Sequence, residues 1–250
     1  MPVVIPRKIN VIDMYHGNAV TTGGHDNDPA ALKAIFTALK DAGVYGIIHK
    51  VSQGLNYADP AYQIRMPIAI ACGLLWGGYH FLTSADPKAQ ADFFLTQSGI
   101  TAANANPLLL ACDFEDWPQA QPSLQQCMAF MKEIDIAAPP SVQCALYSGN
   151  VIRETLRPAT GGHQDQAMVG VELFFQQHRL WLAEYGPKEQ IPYPWNQPIP
   201  KSSNEAAQLP APGVWLWQFT ETGNVGPLPG KTDGNFYDGT ADQLASRWLA

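Results

Sequence analysis

The sequence predicts an α/β chain closed into a single β/α barrel, TIM-barrel-like in plan. Three observations carry that expectation. Short apolar runs alternate with amphipathic stretches of helical period, the pattern of parallel strands covered by helices. The runs are apolar almost without interruption, as strands buried on both faces must be. About seven such runs in 250 residues, with no Gly-x-Gly-x-x-Gly after the first, fit a barrel better than an open doubly wound sheet.

In chain order, the first strand is expected over residues 9–14. A loop rich in Gly, His and Asn follows over 15–28 and closes on Asp28-Pro29, an N-cap with proline at the first helical position. That pair starts a helix over 29–42, and Gly43 ends it. A strand over 45–51 leads to a helix over 61–72, stopped at Gly73, and then to a strand over 74–82. The alternation continues with a helix over 87–99, a strand over 107–114, a helix over 123–134, a strand over 142–147 and a helix over 166–177. Strands over 180–185 and 214–219 complete the set. Between these two, residues 186–213 hold Pro187, Pro192, Pro194, Pro198, Pro200 and Pro210 with Tyr193 and Trp195, an irregular excursion. With no internal repeat and no linker to a second module, the expectation is one domain over residues 1–250.

Composition narrows the function. Hydrophobic residues make up 46% and charged ones 15%, enough to bury a sizeable core. A net charge of -7 and a pI near 5.2, with no basic run, exclude a nucleic-acid footprint. The four cysteines form no Cys-x-x-Cys pair and have no histidine at zinc spacing, so neither metal nor cofactor is expected. Cys112 and Cys144 fall inside apolar strand runs and read as buried free thiols. Residues 1–10, MPVVIPRKIN, carry two prolines and no sustained apolar run, so no secretory signal of the usual kind is expected, and no stretch reaches membrane-spanning length. Aromatics at 10%, seven of them Trp, suit a site that takes sugars through ring faces, or ordinary packing.

In a β/α barrel the working residues stand at the C-terminal ends of the strands. Every apolar run here closes on a side chain able to hydrogen-bond or titrate: Asp13, Lys50 with Ser52, His80, Asp113 with Glu115, Tyr147, Glu184 with Tyr185, and Gln218. The strongest segment is LLLACDFED at 108–116. One residue separates Asp113 from Glu115, so on an extended strand both project to one face, about 6.6 Å apart along the backbone. Two carboxylates converging in a partly buried place cannot easily ionise together, and one is pushed to a higher pKa. Glycoside hydrolysis needs that division: a protonated acid for the leaving oxygen and an anion facing the charge at the anomeric carbon. Glu115, further toward solvent and longer in reach, is expected to be the general acid, with Asp113 the charge stabiliser. A merely solvated strand end is the alternative, and Asp116 directly after favours it.

Several segments together resemble the glycoside hydrolase family 25 lysozymes, the Chalaropsis-type muramidases. They are VIDMYH at 11–16, IHKVSQGLNYADPAY at 48–62, GGYHF at 77–81, KAQADFFL at 88–95, DFE at 113–115, WLAEYG at 181–186, and WQFT and DGNFYDG between 217 and 239. The resemblance implies an irregular β/α barrel that hydrolyses the β-1,4 bond from N-acetylmuramic acid to N-acetylglucosamine, acting on peptidoglycan glycan strands at the bacterial cell wall, extracellular or periplasmic. A monomer is expected. It also implies that Glu115 matches the proton donor and Asp113 its partner. Asp13 matches the first-strand aspartate, an orienting group or a structural acid, and Asp233 matches an aspartate near the C-terminus, or marks an Asp-Gly turn. Tyr147 and Gln218 read as partners for an acetamido group or a catalytic carboxylate. His80 reads as a packed barrel residue or a ligand contact, and Lys50, Glu184 and Tyr185 as further substrate contacts. The loop after the first strand and Gln53, where an acid is common, depart from the pattern. A chitinase-type barrel and a non-catalytic glycan-binding barrel are the rival readings.

Overall fold

A computed structural model describes residues 8–100, 108–116, 121–140, 142–149, 174–175, 177–185 and 214–248. Among them the chain runs β1 (Val11–Met14), α1 (Pro29–Asp41), β2 (Gly46–Gln53), β3 (Tyr57–Ala58), α2 (Tyr62–Ala71), β4 (Leu75–Phe81), α3 (Pro87–Ser98), β5 (Leu108–Asp113), α4 (Leu124–Ala137), β6 (Ala145–Ser148), β7 (Leu180–Ala183), β8 (Val214–Gly223), β9 (Thr232–Phe236) and α5 (Ala241–Ser246). All seven expected strands are present. So are the expected helices, except the one over 166–177, which lies almost wholly outside the described residues, as does the proline-rich stretch with Tyr193 and Trp195.

The sheet closes on itself. Strands β1, β2, β4, β5, β6, β7 and β8 run parallel in ring order, and β9 pairs antiparallel with both β8 and β1. The result is an eight-stranded mixed barrel, with β3 added as a short antiparallel partner of β2. This is the irregularity: one strand of the ring runs the wrong way for a regular β/α barrel, so no crossover helix is needed on either side of it.

Local chemistry sets the helix ends. Asp28 accepts a hydrogen bond from the Ala31 amide at 2.8 Å with Pro29 behind it, which fixes the start of α1. Gly43 and Gly73 follow α1 and α2 at φ of 89° and 76°, a conformation that a side chain disfavours. Helix α4 opens on a capping box between Ser123 and Gln126.

Alternation along the strands makes two cores. Outward residues such as Ile12, Ile47, Trp76, Leu110, Cys112 and Leu146 pack beneath the helices against Phe36, Phe94 and Phe130. Each of these phenylalanines, fully buried, contributes about 1.5–3 kcal/mol. Inward residues Val11, Ile48, Leu109, Ala111, Ala145, Trp181 and Leu216 fill the barrel, with Leu244 of α5 and Trp248. Trp248 donates to the Trp76 carbonyl at 2.8 Å, so the C-terminal segment closes the end where the parallel strands begin. The four cysteines are free, with Cys112, Cys127 and Cys144 buried, as expected of Cys112 and Cys144. No helix among the described residues is long and apolar enough to cross a membrane.

Candidate active site

With the strand-start end filled by apolar side chains, polar groups collect at the other. Asp13 lies at the centre, 5% exposed, on the inward face of β1. Its Oδ2 accepts from Gln218 Nε2 and from Asn235 Nδ2, each at 2.8 Å. Asn235 in turn accepts from the Trp181 indole at 2.6 Å. The Gln218 carbonyl oxygen accepts from the hydroxyls of Tyr147 at 2.8 Å and Tyr185 at 2.7 Å. Five strands or strand ends therefore hold one carboxylate through a network whose amide orientations are fixed by what each end touches.

Asp233 faces Asp13 directly across the β1–β9 pairing. The turn alternative for Asp233 is thus overturned: DGN lies inside β9, and Asp233 faces a second acid. Gly234 is required by close approach, since a Cβ there would meet the Ile9 Cδ1 at 2.6 Å. Burial raises Asp13 to about 6, against the pull of its Asn235 and Gln218 donors. Burial and then the charge of Asp13 raise Asp233 to about 8, so the proton of this pair sits on Asp233.

The second acid pair stands beside the first. Asp113 ends β5 on the inward face, in register with Phe81 and Tyr147, and its Oδ1 is buried with no hydrogen-bond partner among the described residues. Burial first, then the charge of Glu115, hold Asp113 well above the usual carboxylate range, opposed by Lys50. Burial raises Glu115 too, opposed by a hydrogen bond from Tyr147. A phenol has one proton to give. Tyr147 gives it to Gln218 or to Glu115, and where it goes to Glu115 it favours the anion. Two coupled acids titrate as a unit. The pair therefore carries a proton that burial draws toward Asp113, and the Tyr147 hydrogen bond, which favours the Glu115 anion, adds to that pull. Sequence reasoning put that proton on Glu115 outright; depth in the barrel adds the competing pull.

Lys50, half-buried on β2, donates to Gln53 Oε1 at 2.6 Å and lies over the rings of Phe81 at 5.1 Å and Tyr57 at 5.7 Å. Seven of the expected site residues thus converge (Asp13, Asp113, Glu115, Tyr147, Tyr185, Gln218 and Asp233), with Lys50 at their edge. Two do not. His80 is fully buried on the outward face of β4, between Ser52 Oγ at 2.8 Å and Gln90 Oε1 at 3.2 Å, and stacks on Phe130 at 5.0 Å. Burial depresses it to about 3, so it is a neutral packing residue and the ligand-contact alternative falls. Glu184 falls between the inward Ala183 and Tyr185, and its main chain does the structural work, the carbonyl accepting from Trp217 Nε1 at 2.8 Å. Sequence reasoning missed Asn235, Trp181 and Tyr79, whose phenol is pushed up by burial and by Asp113. Strand alternation was the available signal: Asn235 is two residues from Asp233, and Tyr79 two from Phe81.

The profile of the Glycosyl hydrolases family 25 matches residues 24–228, most of the chain. The chain belongs to this family. The matched range contains Asp113 and Glu115 of the family 25 barrel, while Asp13 and Asp233 fall on either side of it. Lysozyme M1 of Streptomyces globisporus is 22% identical over 217 residues, 84% of this chain; the chain spans 65% of that relative's length. Among solved structures, a bacterial lysozyme from Streptomyces coelicolor superposes with a TM-score of 0.63 at 22% identity, covering 94% of each chain. A muramidase from Trichobolus zukalii gives a TM-score of 0.63 at 20% identity, over 94% of this chain and 96% of its own. These likenesses fix the fold, and the family that the chain belongs to is one of glycosyl hydrolases.

Proposed function

We propose that this family 25 barrel is a muramidase of the Chalaropsis type, hydrolysing the β-1,4 bond from N-acetylmuramic acid to N-acetylglucosamine in peptidoglycan. On this reading residues 1–250 are one catalytic domain, working as a monomer at the bacterial cell wall, with no nucleic-acid partner and no cofactor. The observation that carries the reading is the buried Oδ1 of Asp113, unpartnered among the described residues, next to Glu115. An orphaned buried acceptor costs free energy until something donates to it. The 2-acetamido N–H of a muramyl unit is such a donor, and it lies beside the anomeric carbon.

The steps follow from the charges. In the open site burial favours the proton on Asp113. A sugar amide at Oδ1, and positive charge growing at the anomeric carbon, favour the Asp113 anion instead, which leaves the proton on Glu115. Glu115 then protonates the glycosidic oxygen, while Asp113 stabilises the oxocarbenium ion or the oxazolinium made by the acetamido group. Water enters with Glu115 as base. Asp13 and Asp233, coupled through Gln218 and Tyr147, orient the pair.

The test is digestion of defined peptidoglycan, followed by borohydride reduction and identification of the new reducing ends. Reduced muramic acid is expected. Reduced N-acetylglucosamine ends, or binding with no turnover, would overturn the reading.

A further inference from the structure

The site gathers negative charge, and among the described residues the cation that stands with it is Lys50. Lys50 is the cationic group whose field reaches both Asp113 and Glu115, yet among the described residues no carboxylate lies within ion-pair distance of its Nζ. Its partner is a neutral amide, Gln53 Oε1, at 2.6 Å, and the faces of Phe81 and Tyr57 flank it. An ammonium has three protons to donate. One is used, and the aromatic faces hold the stem in place without satisfying the others. A half-buried lysine left this way is held ready for an anion, because burying it without one raises its cost.

Gln53 of β2 and Tyr57 of β3, which both touch Lys50, also line an open cleft of about 600 Å³, bordered further by Leu55, Asn56, Thr83 and Ser84. Its lining suits a sugar: Leu55 is 47% exposed, Tyr57 offers a ring, and amides and hydroxyls surround them. The acids of the centre repel an anionic glycan, so among the described residues the group that welcomes such a strand's charge is Lys50, which meets the cleft through Gln53 and Tyr57.

We infer that Lys50 and the cleft beside it form a subsite for a carboxylate carried on the O3 substituent of a muramyl unit. This rests on the muramidase reading above and deepens it, since that substituent distinguishes a muramyl strand from chitin. The carboxylate has two sources: the lactyl group itself on a peptide-free strand, or the acidic residues of the peptide attached to it.

The test measures binding of soluble muramyl tetrasaccharides to a Glu115→Gln protein, so that turnover does not consume the ligand. Three ligands are compared: the peptide-free acid, the same glycan with the lactyl group converted to its methylamide, and the peptide-bearing glycan. The acid is expected to bind about 10- to 100-fold tighter than the methylamide, with the margin shrinking as salt rises. In Lys50→Met the acid and methylamide should bind alike, and Lys50→Arg should restore most of the margin. A peptide-bearing glycan that binds like the acid and loses as much in Lys50→Met assigns the contact to the peptide's carboxylates; one that binds like the methylamide assigns it to the lactyl group. An acid-to-methylamide ratio near one in the parent, or a ratio untouched by Lys50→Met, overturns the inference while leaving cleavage unaffected. Continued hydrolysis by the Glu115→Gln protein would instead overturn the catalytic assignment. Near-UV circular dichroism of Lys50→Met checks that its fold is kept.

Discussion

Gln218 is the residue through which the two acid pairs communicate, and replacing it with methionine keeps the volume while removing both ends of the amide. Asp13 then loses one of its two donors, at about 1.5–3 kcal/mol for a hydrogen bond to a charged group. The hydroxyl of Tyr147, 6% exposed, loses its acceptor, at about 1–3 kcal/mol. Tyr185, 46% exposed, turns to water at little cost. The total is about 2.5–6 kcal/mol, which in a domain of this size lowers Tm by about 5–24 °C. The sign with pH follows from Asp13. Its folded pKa of about 6 lies above the ordinary 3.8, so the native state takes up its proton first as pH falls. The charge-assisted part of the loss should therefore be full at pH 7.5 and much reduced at pH 4.5. Thermal unfolding at both pH values reads this directly. Pairing the change with Asp13→Asn should give a coupling above about 1 kcal/mol. A loss below about 1 kcal/mol, or the same loss at both pH values, would refute the network.

Three further outcomes follow from the same geometry. Asp233, raised to about 8, contributes stability that is present below the ordinary carboxylate pKa and lost as pH rises through about 8. Asp233→Asn should accordingly gain Tm over the parent at pH 9 and not at pH 4, and calorimetry showing one constant difference would contradict that. His80→Ala, which leaves the Ser52 hydroxyl without its partner, removes one of several contacts on Gln90 and opens a gap beside Phe130, should cost about 2–4 kcal/mol in urea unfolding with KM unchanged; a raised KM at normal stability would return His80 to the groove. Asp28→Ala removes the cap of α1 and should lower Tm by about 2–4 °C at unaltered kcat.

Much of this architecture is legible in the sequence because the parallel strands are buried on both faces and announce themselves as apolar runs. β9 does not. TDGNF places two inward polar groups and a glycine in a strand, where Asp-Gly reads locally as a turn; pairing on both sides overrides that preference, and a Cβ at Gly234 would crowd Ile9. His80 was attractive for its chemistry, but Asp113 and Phe81 fix the inward parity of neighbouring strands, and that parity turns Tyr79 inward and His80 out. The acid pair was visible as residue types at a spacing. Its protonation was not, because the depth that pushes Asp113 up is set by strands contributed from across the whole chain. Asn235 stayed hidden for the same reason: an amide has meaning here only through the Trp181 and Asp13 atoms it joins.

The most direct test of the central claim is the rate at which Glu115→Gln releases muramic-acid reducing ends from purified cell walls, with its Tm measured alongside. An acid that must deliver a proton to the leaving oxygen predicts a fall in kcat of about 10³-fold or more at nearly unchanged Tm. A variant that retains a tenth or more of the parent rate would mean that the proton comes from elsewhere, and that the pair at the end of β5 is not the catalytic one.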